Sequence, residues 1–499
     1  MTIRQRCQPL NQEDIFKIRD AIARFDPSAS STIVGADKAR LRDIFAPTSH
    51  SKALDPATTL VLGARGAGKS FWASVLYNPD TRRLAAEFYP RLGIDRLQVQ
   101  IGFGGVSRAG VSRNVIDTLV PQGQEKTTAG LFWQAVIAGA ALTVTEPNQR
   151  HSPKEMLNRL ADPQDWADTM AEIDDKLAER GETLLIVFDA LDTISEDWRR
   201  LSRIIDALMA SVWSLRGFNA IRAKLFMRAD QLSELTLRFV ELSKLRSGAA
   251  KLSWKQADLY GLMFARLAFD EKAKKAFGRL LEANSLGKLP GKQEELRTWK
   301  LSSDESQQEK LFVAMAGYFM GAGPRKGKTF DWPYNHLADG IGDVTPRSFL
   351  ILMQNAAERS QSRDAGTLIL LPQTIRDGLR AASKVRIEQL NTEYPWIKRV
   401  LQPLAGLRVP AEPQVLFDAW AENATVEAAK KIAQREHALP PVQPDSSQNS
   451  DQSNQESDLA DRLMMMGVLT SRPDGRYDMP DLFRIGAALL KKGGVPPTA

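Results

Sequence analysis

Cysteine is almost absent from this chain of 499 residues, which holds one, Cys7. That excludes a disulfide framework and any thiolate metal site. Histidine is scarce as well: His50, His151, His336 and His437 are scattered, and none has the spacing of a metal-ligand pair. No apolar run reaches the roughly 18 residues that suggest a membrane span. The longest, "AGLFWQAVIAGAALTV" from Ala129 to Val144, reads as a buried helix. The opening stretch "MTIRQRCQPLNQED" has no apolar core, so no signal peptide is expected. Together these absences predict a soluble, cytoplasmic protein with no membrane partner.

The length allows two to four domains. Net charge is +7, and it is unevenly spread: residues 196–255 carry twelve Lys/Arg against six Asp/Glu. Such an excess permits an acidic partner without requiring one. Five β-like runs, "TTLVLG", "LQVQIG", "TLLIVFD", "AKLFMR" and "AAKLSW", are separated by helical patterns, which predicts a parallel sheet with crossover helices. The gap from Phe103 to Glu182 is long for one crossover and is expected to hold inserted helices, the Ala129 run among them. From Trp254 to Leu390 the pattern is helical. The stretch "LPPVQPDSSQNSDQSNQESD" has little to bury and reads as a disordered linker. Past it come a helix and a hairpin turning at Asp474-Gly475.

The domain reading is therefore an N-terminal helical segment (1–57), an ATPase core (58–254), a helical lid (255–390) and a winged-helix-like domain (391–499). The last is interrupted by the linker at about 439–457. The fold class is α/β.

The chemistry concentrates in "GARGAGKS". Gly63, Ala64, Arg65, Gly66, Ala67, Gly68, Lys69 and Ser70 fit the P-loop pattern, and Phe71 continues into the following helix. Its glycines let backbone N–H groups face phosphate oxygens, Lys69 reaches the β/γ-phosphates, and Ser70 ligates Mg²⁺. "LLIVFDALD" supplies an acid at a strand end, Asp189, suited to the metal side. The neighbour is Ala190 rather than a glutamate, so Asp192 is the candidate for activating water; the plainer reading is a helix-start acid.

"FDALD" resembles the Asp-Gly-Leu-Asp form of this motif in NACHT and related STAND ATPases, relatives of origin-recognition AAA+ proteins. The end of "KLFMRAD" resembles their sensor strand and points to Arg228, whose alternative is pairing with Asp230. "GDVTPRSFLILMQNAA" resembles the lid segment that carries a second sensor, here Arg347, which could equally be a solvated helix-start residue. Val34-Gly35 resembles the short box that packs on adenine.

The resemblance spans roughly residues 30–360 and implies ATP and Mg²⁺ as ligands. It also implies a slowly hydrolysing switch that assembles with itself or with a partner effector, a build found in bacterial anti-phage and other conflict systems. The alternative is a DNA-engaging loader or remodeller of the origin-recognition or transposition-regulator type. Residues 458–499 carry six Lys/Arg and five Asp/Glu, few cations for a DNA reader. A packing or protein-binding wing is thus expected, with Arg472, Arg476, Lys491 and Lys492 as the residues a DNA-binding wing would use. No acceptor motif suggests a phosphotransferase, and no Leu-Ser-Gly-Gly-Gln signature suggests an ABC ATPase. The helix "SEDWRRLSRIIDALMASVWSL" places its apolar residues on one face. Arg199, Arg200 and Arg203 are expected off it, as a solvated run or as a finger or partner contact.

Overall fold

The computed structural model describes residues 10–27, 39–105, 110–149, 151–160, 162–228, 232, 239–363, 366–442 and 455–497. Cys7, the Val34-Gly35 box, Asp230 and linker residues 443–454 lie outside the described residues. The chain forms two compact units, Ser28–Ser253 and a second composed of Met1–Pro27 with Trp254–Ala499. Helix α1 (Gln12–Ala23) belongs to the second unit, and residues 28–57 belong to the first.

The first unit is built on five strands: β1 (Leu60–Leu62), β2 (Leu97–Phe103), β3 (Thr183–Phe188), β4 (Ile221–Met227) and β5 (Ala250–Lys251). All neighbours pair in parallel, in the order β2-β3-β4-β1-β5. Each of the five β-like runs in the sequence overlaps one of these strands. Register is set by pairs such as Val99↔Leu185, Leu184↔Ile221 and Leu60↔Leu225. Successive side chains of a strand point to opposite faces. Leu184, Ile186 and Phe188 therefore enter one core, and Leu185 and Val187 the other. With both faces buried, every position of β3 must be apolar, which is why the run is continuous.

On one face lies α2 (Lys69–Tyr77), whose Trp72, Ala73 and Val75 join the core of Leu185 and Val187. On the other lie α3 (Glu125–Thr145) and α4 (Pro163–Glu179), the expected insertion between β2 and β3, with α5 (Trp198–Ser214). Among the described residues α3 alone is long and apolar enough to cross a membrane. Here it is a core helix: Phe132, Trp133, Ile137 and Ala138 are fully buried, and the Trp133 indole N–H donates to the Ile204 carbonyl of α5 at 3.0 Å. Short α6 (Leu242–Gly248) precedes β5.

The second unit opens, after α1, with α7 (Gln256–Ala268) and α8 (Lys274–Ala283). Its longest pair is α9 (Pro346–Gln361) and α10 (Pro372–Glu393). Proline at the first helical position of both has the right φ and lacks an N–H that would go unpaired there. Arg19 of α1 donates to the Ile369 and Leu368 carbonyls at 2.9 and 2.8 Å. Tyr260 of α7 packs among Phe312, Phe330 and Phe349.

Beyond α10 come β6 (Arg408–Val409), α11 (Pro413–Glu422), α12 (Thr425–Arg435) and α13 (Gln455–Met465). The hairpin of β7 (Thr470–Ser471) and β8 (Tyr477–Asp478) follows, its turn carrying Gly475 at φ 84°. Strand β9 (Leu490–Lys491) returns to pair with β6. Helices α11 to α13 with this hairpin make this end winged-helix-like, and the fold class is α/β as expected. Of the expected linker, Leu439–Val442 packs on the unit, with Val442 buried and the Leu439 carbonyl accepting from the Trp396 indole at 2.7 Å.

Candidate functional site

The P-loop turns from β1 into α2. Gly63 N–H donates to the Met227 carbonyl at 3.1 Å, carrying the β1–β4 pairing one residue past the strand. Gly66 and Gly68 then take φ of 84° and 100°, a left-handed backbone that costs residues with a Cβ. Lys69 opens α2, and its Nζ donates to the Gly63 and Ala64 carbonyls at 2.8 and 3.1 Å, lying across the loop it belongs to. Ala67 is buried, Arg65 is half-buried, and Phe71 sets its ring edge-on to Trp72.

Behind the loop, α2 is held by a residue that sequence reasoning did not select. The Trp72 indole N–H donates to His50 Nδ1 at 3.1 Å, and His50 Nε2 faces the Ser253 carbonyl at 3.1 Å. Nε2 therefore carries the ring proton and donates it. Burial, partly offset by the Ser253 hydrogen bond, holds the imidazole pKa down to about 4. Nothing in the local pattern announces His50; its partners lie 22 and 203 residues away.

Asp189 follows β3 and is buried. Its backbone N–H donates to the Phe103 carbonyl at 2.9 Å, which fixes the end of β3 against β2. The Ser70 hydroxyl and the Ala190 N–H both favour its charged form. Desolvation nevertheless lifts its pKa to about 6. Ser70, the Ala190 N–H and the positive charge of Lys69 oppose that rise, and the negative charge of Asp192 adds to it. A desolvated carboxylate and a serine hydroxyl are oxygen donors of the kind hard cations take. Ala190 takes φ 55°, a left-handed conformation in a residue with a Cβ. The glycine of the Asp-Gly-Leu-Asp pattern would adopt it without that cost. The turn Leu191–Thr193 that follows carries Asp192, exposed to solvent.

Strand β4 lies between β1 and β3, so the residue leaving its C-terminal end emerges between the P-loop and Asp189. That residue is Arg228, 7% exposed. Lys69, Ser70, Asp189, Asp192 and Arg228 all leave the same edge of the parallel sheet, where ligands of open α/β sheets bind. Arg347 is the second residue of α9 in the other unit, half-buried, beside a Thr345 cap. Gly35 lies outside the described residues.

Part of the basic stretch 196–255 is used inside the unit. Arg200 is not on a solvated face: its guanidinium bonds Glu125 at 3.0 Å, Asp117 at 3.1 Å and the Val120 carbonyl at 2.8 Å. Arg203 reaches the other Glu125 oxygen at 3.2 Å. Glu125 is 1% exposed, and a carboxylate that deep draws cations off the surface. Arg199 lies over the Trp198 ring at 5.5 Å, and Lys224 is buried between the Asp55 and Thr58 carbonyls. In the wing, Arg472 and Lys491 both pair with Asp478, at 2.7 and 2.9 Å, and Arg476 pairs with Asp474 at 2.6 Å. Lys492 is exposed.

No family model matches the chain, and no curated protein matches it. Among solved structures, Cdc6p from Pyrobaculum aerophilum is 13% identical, covers 93% of this chain and 97% of its own, and superposes with a TM-score of 0.28. The ORC2 protein of Aeropyrum pernix, in ADPNP-ADP complexes, is 12% identical over 88% of this chain and 93% of its own, with a TM-score of 0.30. Similarity at these scores decides nothing, so the functional reading rests on the chain's own geometry and motifs.

Proposed function

We propose that this chain is an ATP-hydrolysing AAA+ ATPase of the origin-recognition type, a loader or remodeller that engages DNA under nucleotide control. The observation that carries the ATPase reading is a complete P-loop, with Gly66 and Gly68 in the left-handed backbone it needs, at the same end of the parallel sheet as buried Asp189. In this reading the N–H groups of Gly66 to Ser70 and the Lys69 ammonium hold the β/γ-phosphates. Ser70 and Asp189 hold Mg²⁺, which when bound neutralises developing phosphate charge. Asp192 orients the attacking water and takes its proton. Arg228, and Arg347 on its motif alone, read the terminal phosphate, so that its loss changes the packing of the elements that carry them.

A second reading is a STAND-like switch that acts on a protein partner or on further copies of the chain, as in bacterial conflict systems. One observation favours it: three of the four wing cations that a DNA reader would use are already paired with carboxylates. Phosphate contacts dominate DNA affinity, and cations so engaged contribute less to it. The test is phosphate release by the wild-type chain and by Lys69→Ala, with and without duplex DNA, at low and moderate salt. Hydrolysis that DNA stimulates and salt suppresses supports the loader. Hydrolysis indifferent to DNA, with a change of mass in solution between ADP and a non-hydrolysable ATP analogue, supports the switch. Equal ATP binding by wild type and Lys69→Ala removes both.

A further inference from the structure

The sheet unit carries a second concave site, at the opposite edge of the sheet from the P-loop. Thr59 and Leu60 lead β1 into it, Ile221 to Ala223 start β4 there, and the ends of α5 and α6 complete its wall. Its volume is about 570 Å³, within the range of small-molecule sites.

What lines it is chemically lopsided. Three cations, Arg216, Arg222 and Lys244, face a cavity with no carboxylate among its described lining residues. Arg216 lies over the Trp213 ring at 4.3 Å, which fixes its guanidinium plane without neutralising it. Arg222 spends Nη1 on the Phe218 and Ile221 carbonyls, at 2.7 and 2.9 Å. Among the described residues neither arginine has a carboxylate partner. Lys244 pairs with Glu241 at 2.6 Å, outside the cavity lining, and stands 5.9 Å from the Trp213 ring. Like charges gathered in one cavity repel, and an anion among them turns that repulsion into attraction. The floor is apolar, formed by Val212, Leu215 and Ile221.

From this arrangement we infer that the cavity binds a small organic phosphate of about mononucleotide size. Its phosphate lies between Arg216, Arg222 and Lys244, and its organic part covers the apolar floor. Guanidinium groups suit phosphate because their forked donors meet two oxygens at once. The limited volume and apolar floor favour a small molecule over a polynucleotide strand, whose backbone would need a continuing track of cations. The site is separate from the P-loop, so its occupant would report a second metabolite to the same sheet.

The test uses the full chain carrying Lys69→Ala, which removes phosphate binding at the P-loop, titrated calorimetrically with uridine 5′-monophosphate, ribose 5-phosphate and inorganic phosphate. Saturable one-to-one binding of at least one organic phosphate is expected, tighter than inorganic phosphate. Each of Arg216→Gln and Arg222→Gln should weaken it about ten-fold or more, since charge-assisted hydrogen bonds are lost. Arg216 is exposed, so its replacement leaves the fold intact, and the ligand should also shield Lys244 from an amine-reactive label. Failure of both organic phosphates to bind overturns the inference, and so does binding that neither arginine variant weakens. Capture of a single-stranded oligonucleotide at these arginines, with no binding of the small phosphates, overturns it too. The result does not depend on whether the P-loop hydrolyses ATP.

Discussion

Acidification should loosen the P-loop helix through His50, and the size of the effect follows from its environment. The imidazole titrates at about 4 in the folded chain against 6.5 in a solvated peptide. The folded state therefore binds fewer protons than the unfolded one between those values. The stability this represents is present above 6.5 and is lost as pH falls through 6.5 toward 4. At pH 5 the loss is about 2 kcal/mol relative to pH 8, and it approaches roughly 3 kcal/mol below 4. Protonation also turns Nδ1 into a donor facing the Trp72 indole N–H, so the bond that holds α2 from behind becomes a clash of donors. Asp189 acts in the opposite sense: its folded pKa of about 6 lies above 3.8, so its contribution is present at low pH and lost as pH rises through 6. A single pH profile thus mixes both, and a variant is needed to separate them. His50→Gln can accept from Trp72 and donate to Ser253 without titrating. Hydrogen exchange of the α2 amides at pH 8 and pH 5 should show opening free energies that fall about 2 kcal/mol further in wild type than in His50→Gln. Equal losses in the two proteins would refute the reasoning.

Asp192→Asn should leave ATP affinity within a few-fold while phosphate release falls roughly 10²–10⁴-fold, the worth of a general base; normal turnover in this variant would make Asp192 only a turn residue. Ala190→Gly should raise the unfolding free energy by up to about 1 kcal/mol, since it removes a left-handed Cβ. Denaturation that shows a loss instead would mean the Ala190 methyl is needed for packing. Arg200→Ala should cost about 3 kcal/mol, because Glu125 stays buried with one cation fewer; chemical denaturation within a few tenths of wild type would show that Glu125 is hydrated in solution.

Legibility from sequence followed the distance over which each feature is made. The P-loop could be read because one turn supplies all its groups: the glycines, the lysine and the serine must be adjacent to close on a phosphate. Strand β3 could be read because burial on two faces leaves it no polar position. The order of the strands could not, since nothing in "AKLFMR" says that it inserts between β1 and β3. Yet that insertion is what puts Arg228 beside the phosphate loop. Arg200 looked like part of a basic helix face, and its partner Glu125 is 75 residues away in an insertion whose path no local pattern describes. His50 is the same case, a histidine made structural by a tryptophan and a carbonyl from distant segments.

The features hidden from sequence are also the ones that set the electrostatics of the unit. Net charge along residues 196–255 suggested an exposed basic surface. In the fold part of that charge is used internally: Arg200 and Arg203 answer Glu125, Lys224 fills a pair of carbonyls, and Arg228 ends β4 at the P-loop edge. Of the rest, Arg216, Arg222 and Lys244 line a common cavity at the far edge of the sheet. A charge count over a window cannot separate cations spent on the interior from cations kept for a ligand. Only the partner of each side chain does, and the partners here come from β1, β4 and the ends of two helices. The basic stretch is thus better read as two uses of charge, one that holds the insertion against α5 and one that remains open to an anion.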